Sequence, residues 1–116
     1  METEIKQESI KSFQSTIKKT EKALELMTEK KANTTLIKKR LNAFHIGLAV
    51  LEKAWNNQPH PYNSKDLEEA RNTLIGLLPS IQSIYEKSKE GSPQKTLLER
   101  RITSMELAIE EIEKTV

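Results

Sequence analysis

The chain contains no cysteine, and this absence excludes disulfides, thiol catalysis and thiolate metal sites. Glycine, proline and aromatic residues are scarce, with three Gly, four Pro and a single Trp. No stretch approaches the ~20 consecutive apolar residues of a membrane span. The opening residues METEIKQES carry three glutamates and no apolar run, which predicts that they are not a secretory signal. We therefore expect a cytoplasmic protein that does not bind membranes.

The residues that are present favour one helical domain. Charged residues make up 31% of the 116 positions and hydrophobic residues 35%, which is typical of a single domain with its own core. Lys, Glu, Leu and Ile are common, and they favour helix over sheet. The abundance of Lys, Ile and Asn also fits an AT-rich bacterial or phage genome. Residues 1–58 hold more basic than acidic groups and residues 59–116 the reverse, so the two halves have complementary charge.

Four stretches carry apolar residues at alternating spacings of three and four, which is the pattern of an amphipathic helix. They predict helices over about residues 3–31, 34–57, 64–89 and 93–115. The apolar stripes end at Met27, Trp55, Ile84 and Val116. Short links between such helices favour an all-α fold, an antiparallel up-down-up-down four-helix bundle, with residues 1–116 in a single domain.

The third and fourth helices contain the clearest local signals. In KEGSPQ, Gly91 suits the left-handed residue after a helix, Ser92 suits the N-cap and Pro93 suits the first helical position. Pro79 lies inside the third helix, opposite its apolar stripe. A proline there removes one backbone hydrogen bond, so we expect a kink in the third helix and not a break.

The sequence signals that predict the other two junctions differ in strength. In NNQPHPYNS, Pro59 and Pro61 are expected to stop the second helix, and Asn63 or Ser64 to cap the third. The connector therefore needs no function to explain it. The first junction has no Gly or Pro. The prediction of a break there rests on a cap at residues 33–34 and on a shift in the phase of the apolar stripe. One continuous rod, which would favour dimerisation, remains the alternative.

No constellation for catalysis or metal binding occurs. The two histidines lack the glutamate three residues earlier that di-metal bundles use, and no nucleophile elbow, P-loop or Rossmann fingerprint is present. We predict no enzyme, no metal, no cofactor and no small-molecule ligand. His45, beside Phe44 at the edge of the stripe, is predicted to be a partly buried structural histidine.

The second helix has more apolar surface than one stripe requires. A wide apolar face suits either the central helix of a bundle or a surface that binds a partner. The second interpretation predicts a non-enzymatic protein–protein interaction module, of adaptor, chaperone, immunity or regulatory type, which binds another protein or forms a homodimer. Its candidate partner-binding residues are Leu36, Ala43, Ile46 and Val50 on the helix, with Trp55, His60 and Tyr62 around the connector.

Basic clusters provide the alternative function. Lys38, Lys39 and Arg40 follow one another early in the second helix, and further pairs occur at residues 18–19 and 100–101. Phosphate binding needs several such groups on one face, so these three predict a nucleic-acid-binding regulator. The net charge of only +2 and the interleaved glutamates weigh against it.

Overall fold

The computed structural model describes residues 2–115. They form four helices, α1 (Thr3–Glu29), α2 (Thr35–Asn56), α3 (Ser64–Lys87) and α4 (Pro93–Thr115), and no strand occurs within these residues. The all-α prediction is confirmed, and each predicted helix boundary lies within two residues of the observed one. Val116, the last residue of the fourth predicted stripe, lies outside the described residues.

The four helices form a compact, flat molecule. Its extents are 38 × 37 × 20 Å, and the shortest of these fits two layers of helices. Both long extents are close to the length of ~36 Å expected for α3. Helices α2 and α4 each contact all three others, whereas α1 and α3 do not meet in the described part of the chain.

Helices α1 and α2 are separated by a turn. Lys31 has a positive φ of 57°, and the amide of Ala32 donates to the Met27 carbonyl at 2.9 Å. The Asn33 side chain then accepts from the Thr35 amide at 3.0 Å. The alternative of one continuous rod is therefore wrong, because a left-handed residue reverses the local path of the chain.

The connector between α2 and α3 uses asparagine at both ends. Asn57 adopts a left-handed conformation with φ of 56° and donates its amide to the Lys53 carbonyl. This αL cap ends α2. Pro59 comes two residues after Asn57, so the proline is not what ends the helix. Asn63 caps α3 by accepting from the Asp66 amide at 2.9 Å, while the Asp66 carboxylate accepts from the Asn63 amide at 3.2 Å. The predicted cap is confirmed as a complete capping box.

The connector between α3 and α4 also follows the sequence signals. Ser92 accepts from the Lys95 amide at 3.2 Å, and α4 begins at Pro93. Gly91 has φ of 76°, but it lies in the turn before Ser92 and not directly after α3, which ends at Lys87. Helix α3 continues through Pro79, which is exposed.

The core corrects two predictions about α2. Ala43, Ile46 and Val50 are only 1%, 1% and 5% exposed, so they are core residues and do not form the predicted partner surface. The reason is that α2 contacts three helices, which cover its wide apolar face from several sides. His45 is exposed, so its predicted partial burial is wrong.

One end of the third stripe departs from the prediction. Ile84 is 49% exposed, although the spacing of the stripe predicts it on the inward face of α3.

Across residues 2–115, no helix combines the length and the apolar character that crossing a membrane requires.

Candidate functional site

All four helices line one open groove of about 310 Å³, which we term the basic groove. Apolar side chains form most of its walls, and none of the described residues that line it is acidic. A concave apolar surface with a few convergent polar groups is the usual form of a binding site. The lining consists of six apolar residues (Ala23, Ile37, Phe44, Leu77, Ile81, Met105), three basic residues (Lys19, Arg40, Arg101) and two threonines (Thr16, Thr20).

Arg101 is the most buried of the three cations. Its Nε donates to the Thr16 hydroxyl oxygen at 3.0 Å, and that hydroxyl in turn donates to the Ser12 carbonyl at 2.8 Å. Partial burial lowers the pKa of the Arg101 guanidinium below its usual value. The group stays protonated at neutral pH, so the groove holds a partly desolvated positive charge.

The three cations of the groove have no carboxylate within 4.0 Å in residues 2–115. Four of the other sixteen basic residues have such a partner within the same residues; one is Arg100, next in sequence to Arg101, which pairs with Glu8 at 3.1 Å. A desolvated charge without a counter-charge raises the free energy of the free protein. An anion that enters the groove would therefore be favoured electrostatically.

A smaller depression of about 250 Å³, the side groove, continues from the basic groove between α2 and α3. The two grooves share Arg40 and Leu77 in their linings. Leu36, a predicted partner-binding residue, lines the side groove and is 57% exposed. The two grooves thus make one surface of mixed apolar and basic character.

The predicted residues of the connector lie elsewhere. Trp55 and Tyr62 are partly buried against the core, and the Lys6 ammonium lies 6.0 Å from the Trp55 ring centroid. The ring centroids of His60 and Tyr62 are 5.5 Å apart, and the Tyr62 amide donates to His60 Nδ1 at 3.2 Å. Leu36 and Trp55 are separated by ~28 Å along α2, so the predicted residues do not form one site.

The predicted nucleic-acid cluster is also divided. Consecutive residues of a helix point ~100° apart, so Lys38, Lys39 and Arg40 face different directions. Arg40 lines both grooves and Lys39 lines the side groove, whereas Lys38 lines neither. The structure instead brings Arg40 together with Lys19 from α1 and Arg101 from α4.

Sequence reasoning missed the position of Arg101, although a signal for it exists. Arg101 lies three residues after Leu98 and four before Met105, both of which are buried. It therefore occupies an inward-facing position in the pattern of alternating three- and four-residue spacings. A basic residue at such a position is unusual, because charged side chains are rarely buried without a partner.

The remaining surface offers weaker candidates. Cavities of about 420 and 330 Å³ follow the contact between α1 and α4, but both are lined by the Glu8–Arg100 ion pair. Arg101 also lines the larger of these cavities, together with Glu4. No group of three or more His, Asp or Glu residues that could hold a metal ion occurs in the part of the chain that the structure describes.

Comparison of the chain with protein-family models, with curated proteins and with solved structures finds no match in any of the three. A fold of this kind does not by itself specify a function. The functional argument therefore rests on the basic groove and its chemistry.

Proposed function

We propose that this protein is a non-enzymatic protein–protein interaction module whose partner docks on the basic groove. The observation that carries the proposal is the combination of open apolar walls with three cations that lack a carboxylate partner within residues 2–115. Apolar surface beside unpaired charge is typical of a surface that another molecule covers. The adaptor, chaperone, immunity and regulatory classes remain the candidates, because each acts by binding another protein.

Affinity capture from native lysate, with and without nuclease, tests this function. The informative variant is the double charge reversal Lys19→Glu with Arg40→Glu, which changes two cations of the groove. Its matched control is Lys18→Glu with Lys38→Glu. These neighbours carry the same charge, are exposed on the same two helices and do not line the basic groove.

We expect a nuclease-resistant protein that the wild type and the control capture and that the groove variant loses. A protein that all three capture equally would place the interface elsewhere and contradict the proposal. Capture of no protein from the native host would contradict it as well. Circular dichroism of each variant shows whether the helices remain intact.

Nucleic-acid binding is the second candidate, because the same cations and Lys39 could bind phosphates. The lining of the basic groove argues against nucleic-acid binding. Six of its eleven residues are apolar, and a phosphate backbone does not bury such side chains. This candidate predicts a nuclease-sensitive capture and an affinity that falls steeply with salt. Absence of DNA or RNA retardation at low salt would remove it.

We further propose antiparallel packing of helices that follow one another in the chain and a bend of α3 at Pro79. For α3 and α4 the support comes from both ends of the pair. Arg71, near the start of α3, donates to Glu113, near the end of α4, at 2.7 Å. At the opposite end, the Lys95 ammonium of α4 lies 4.7 Å from the ring centroid of Tyr85 on α3.

A cytoplasmic location and a bacterial or phage source belong to the same proposal and rest on composition. Cell fractionation of the native host tests the location. Recovery of the protein in the membrane or extracellular fraction would contradict it.

A further inference from the structure

We infer that the partner segment which docks in the basic groove is an amphipathic helix bearing Glu or Asp, and that Arg101 binds one of its carboxylates. The inference rests on the proposed function and specifies the chemistry of the partner. It follows from three features of the groove: its charge, its apolar lining and the way Arg101 is held.

The charge of the groove selects for an acidic partner. Lys19, Arg40 and Arg101 come from three helices and converge where the described lining has no acid. A like-charged segment would be repelled there, and a neutral one would leave Arg101 partly desolvated and unpaired. A carboxylate compensates this charge, so complementarity favours an anionic ligand.

The apolar lining selects a protein segment among anionic ligands. Ile37, Leu77 and Ile81 stand on α2 and α3 beside the cations, and the adjacent side groove exposes Leu36. An amphipathic helix presents acidic side chains along the borders of its apolar face, which matches this arrangement of apolar walls beside cations. The walls are themselves helix surfaces, and the ridges of an added helix pack between such surfaces.

Arg101 is oriented before any partner arrives. Its Nε bond to Thr16 is the only hydrogen bond that its side chain makes within residues 2–115. A guanidinium has five N–H groups, so four remain for a ligand or for water. Two of them form the planar pair that binds a carboxylate in bidentate fashion. Because Thr16 is buried and holds the guanidinium, less rotamer entropy is lost on binding.

Three designed peptides test the inference with the full chain. Each is a helix of about 18 residues, or five turns, with one leucine face, and the polar face carries Glu, Gln or Lys. Fluorescence anisotropy gives the affinity of each labelled peptide. We expect the Glu peptide to bind about tenfold or more tighter than the Gln peptide, and the Lys peptide not to bind.

Arginine Nε–H resonances in ¹⁵N NMR locate the contact. The Glu peptide should shift the resonance of Arg101 and leave those of Arg71 and Arg100, which are already in ion pairs, unchanged. Arg101→Gln should remove the preference for Glu over Gln. If this variant fails to fold, Lys19→Gln with Arg40→Gln at exposed positions replaces it, with Lys18→Gln and Lys38→Gln as control.

Equal affinity for the Glu and Gln peptides would overturn the inference and leave the proposed function standing. Absence of peptide binding would overturn it too, and the captures with groove variants then decide separately whether the groove binds a partner. A shift of Arg101 with single-stranded RNA but not with the Glu peptide would also overturn it, in favour of nucleic acid.

Discussion

At the scale of single residues, Gly47 of α2 is required by close packing. A Cβ atom at this position would lie 2.8 Å from Cζ and 2.9 Å from Cε1 of Phe13. Phe13 is 1% exposed, so its ring has no free space to move into. We expect Gly47→Ala to lower the free energy of unfolding by about 1–3 kcal/mol, although alanine is the better helix former. Urea unfolding measures the change.

Gly76 provides the control for Gly47. It also lies inside a helix, but a Cβ atom there would have no neighbour within 4 Å. Gly76→Ala should therefore raise the free energy of unfolding by up to about 1 kcal/mol. Stability changes of the same sign in both variants would contradict the packing role of Gly47.

Trp55 should contribute less to stability than its size suggests. The sequence alone, with Trp55 closing the end of a bundle, predicts a loss of ~3–5 kcal/mol for Trp55→Ala. The structure leaves the side chain partly exposed at the edge of the core, so we expect about 1–3 kcal/mol. Thermal unfolding followed by circular dichroism checks this value. Unchanged stability together with a lost binding partner would instead show that the connector is a binding site.

At the scale of elements, the capping box at the start of α3 can be tested alone. Asn63→Ala removes the acceptor of the Asp66 amide and should cost about 1 kcal/mol of stability. Ser64→Ala is the control, because the Ser64 side chain is exposed and makes no hydrogen bond among the described residues. Equal costs for the two variants would show that the cap does not contribute.

Helix α1 should be less protected than α2 and α4. It has 27 residues, but only Ser9, Phe13, Thr16 and Ile17 are buried, whereas the shorter α4 buries six residues. Few buried apolar contacts lower the free energy of local opening. Hydrogen exchange with mass spectrometry should therefore show faster exchange at both ends of α1 than in the middle of α2. Uniform protection of α1 would contradict this expectation.

At the scale of the whole molecule, burial of the wide face of α2 bears on self-association. The residues that favoured a homodimer, Ala43, Ile46 and Val50, are in the core of one chain. The large apolar residues that stay exposed are distributed over all four helices: Ile5, Leu26, Leu36, Ile75, Ile84 and Leu97. We therefore expect a monomer in sedimentation velocity at both low and high concentration. A concentration-dependent shift to a dimer would revive the homodimer interpretation.

The sequence by itself determined the number of helices, their approximate boundaries and the N-caps of α3 and α4. These features depend on residues within a few positions of one another, as with Asn63 and Asp66 or Ser92 and Lys95. Only the tertiary structure decided which faces are covered. Ile46 is buried and His45 exposed because of how α2 rotates against three neighbours, and no local pattern encodes that rotation. The basic groove likewise joins cations from α1, α2 and α4, which become neighbours only when distant segments pack together.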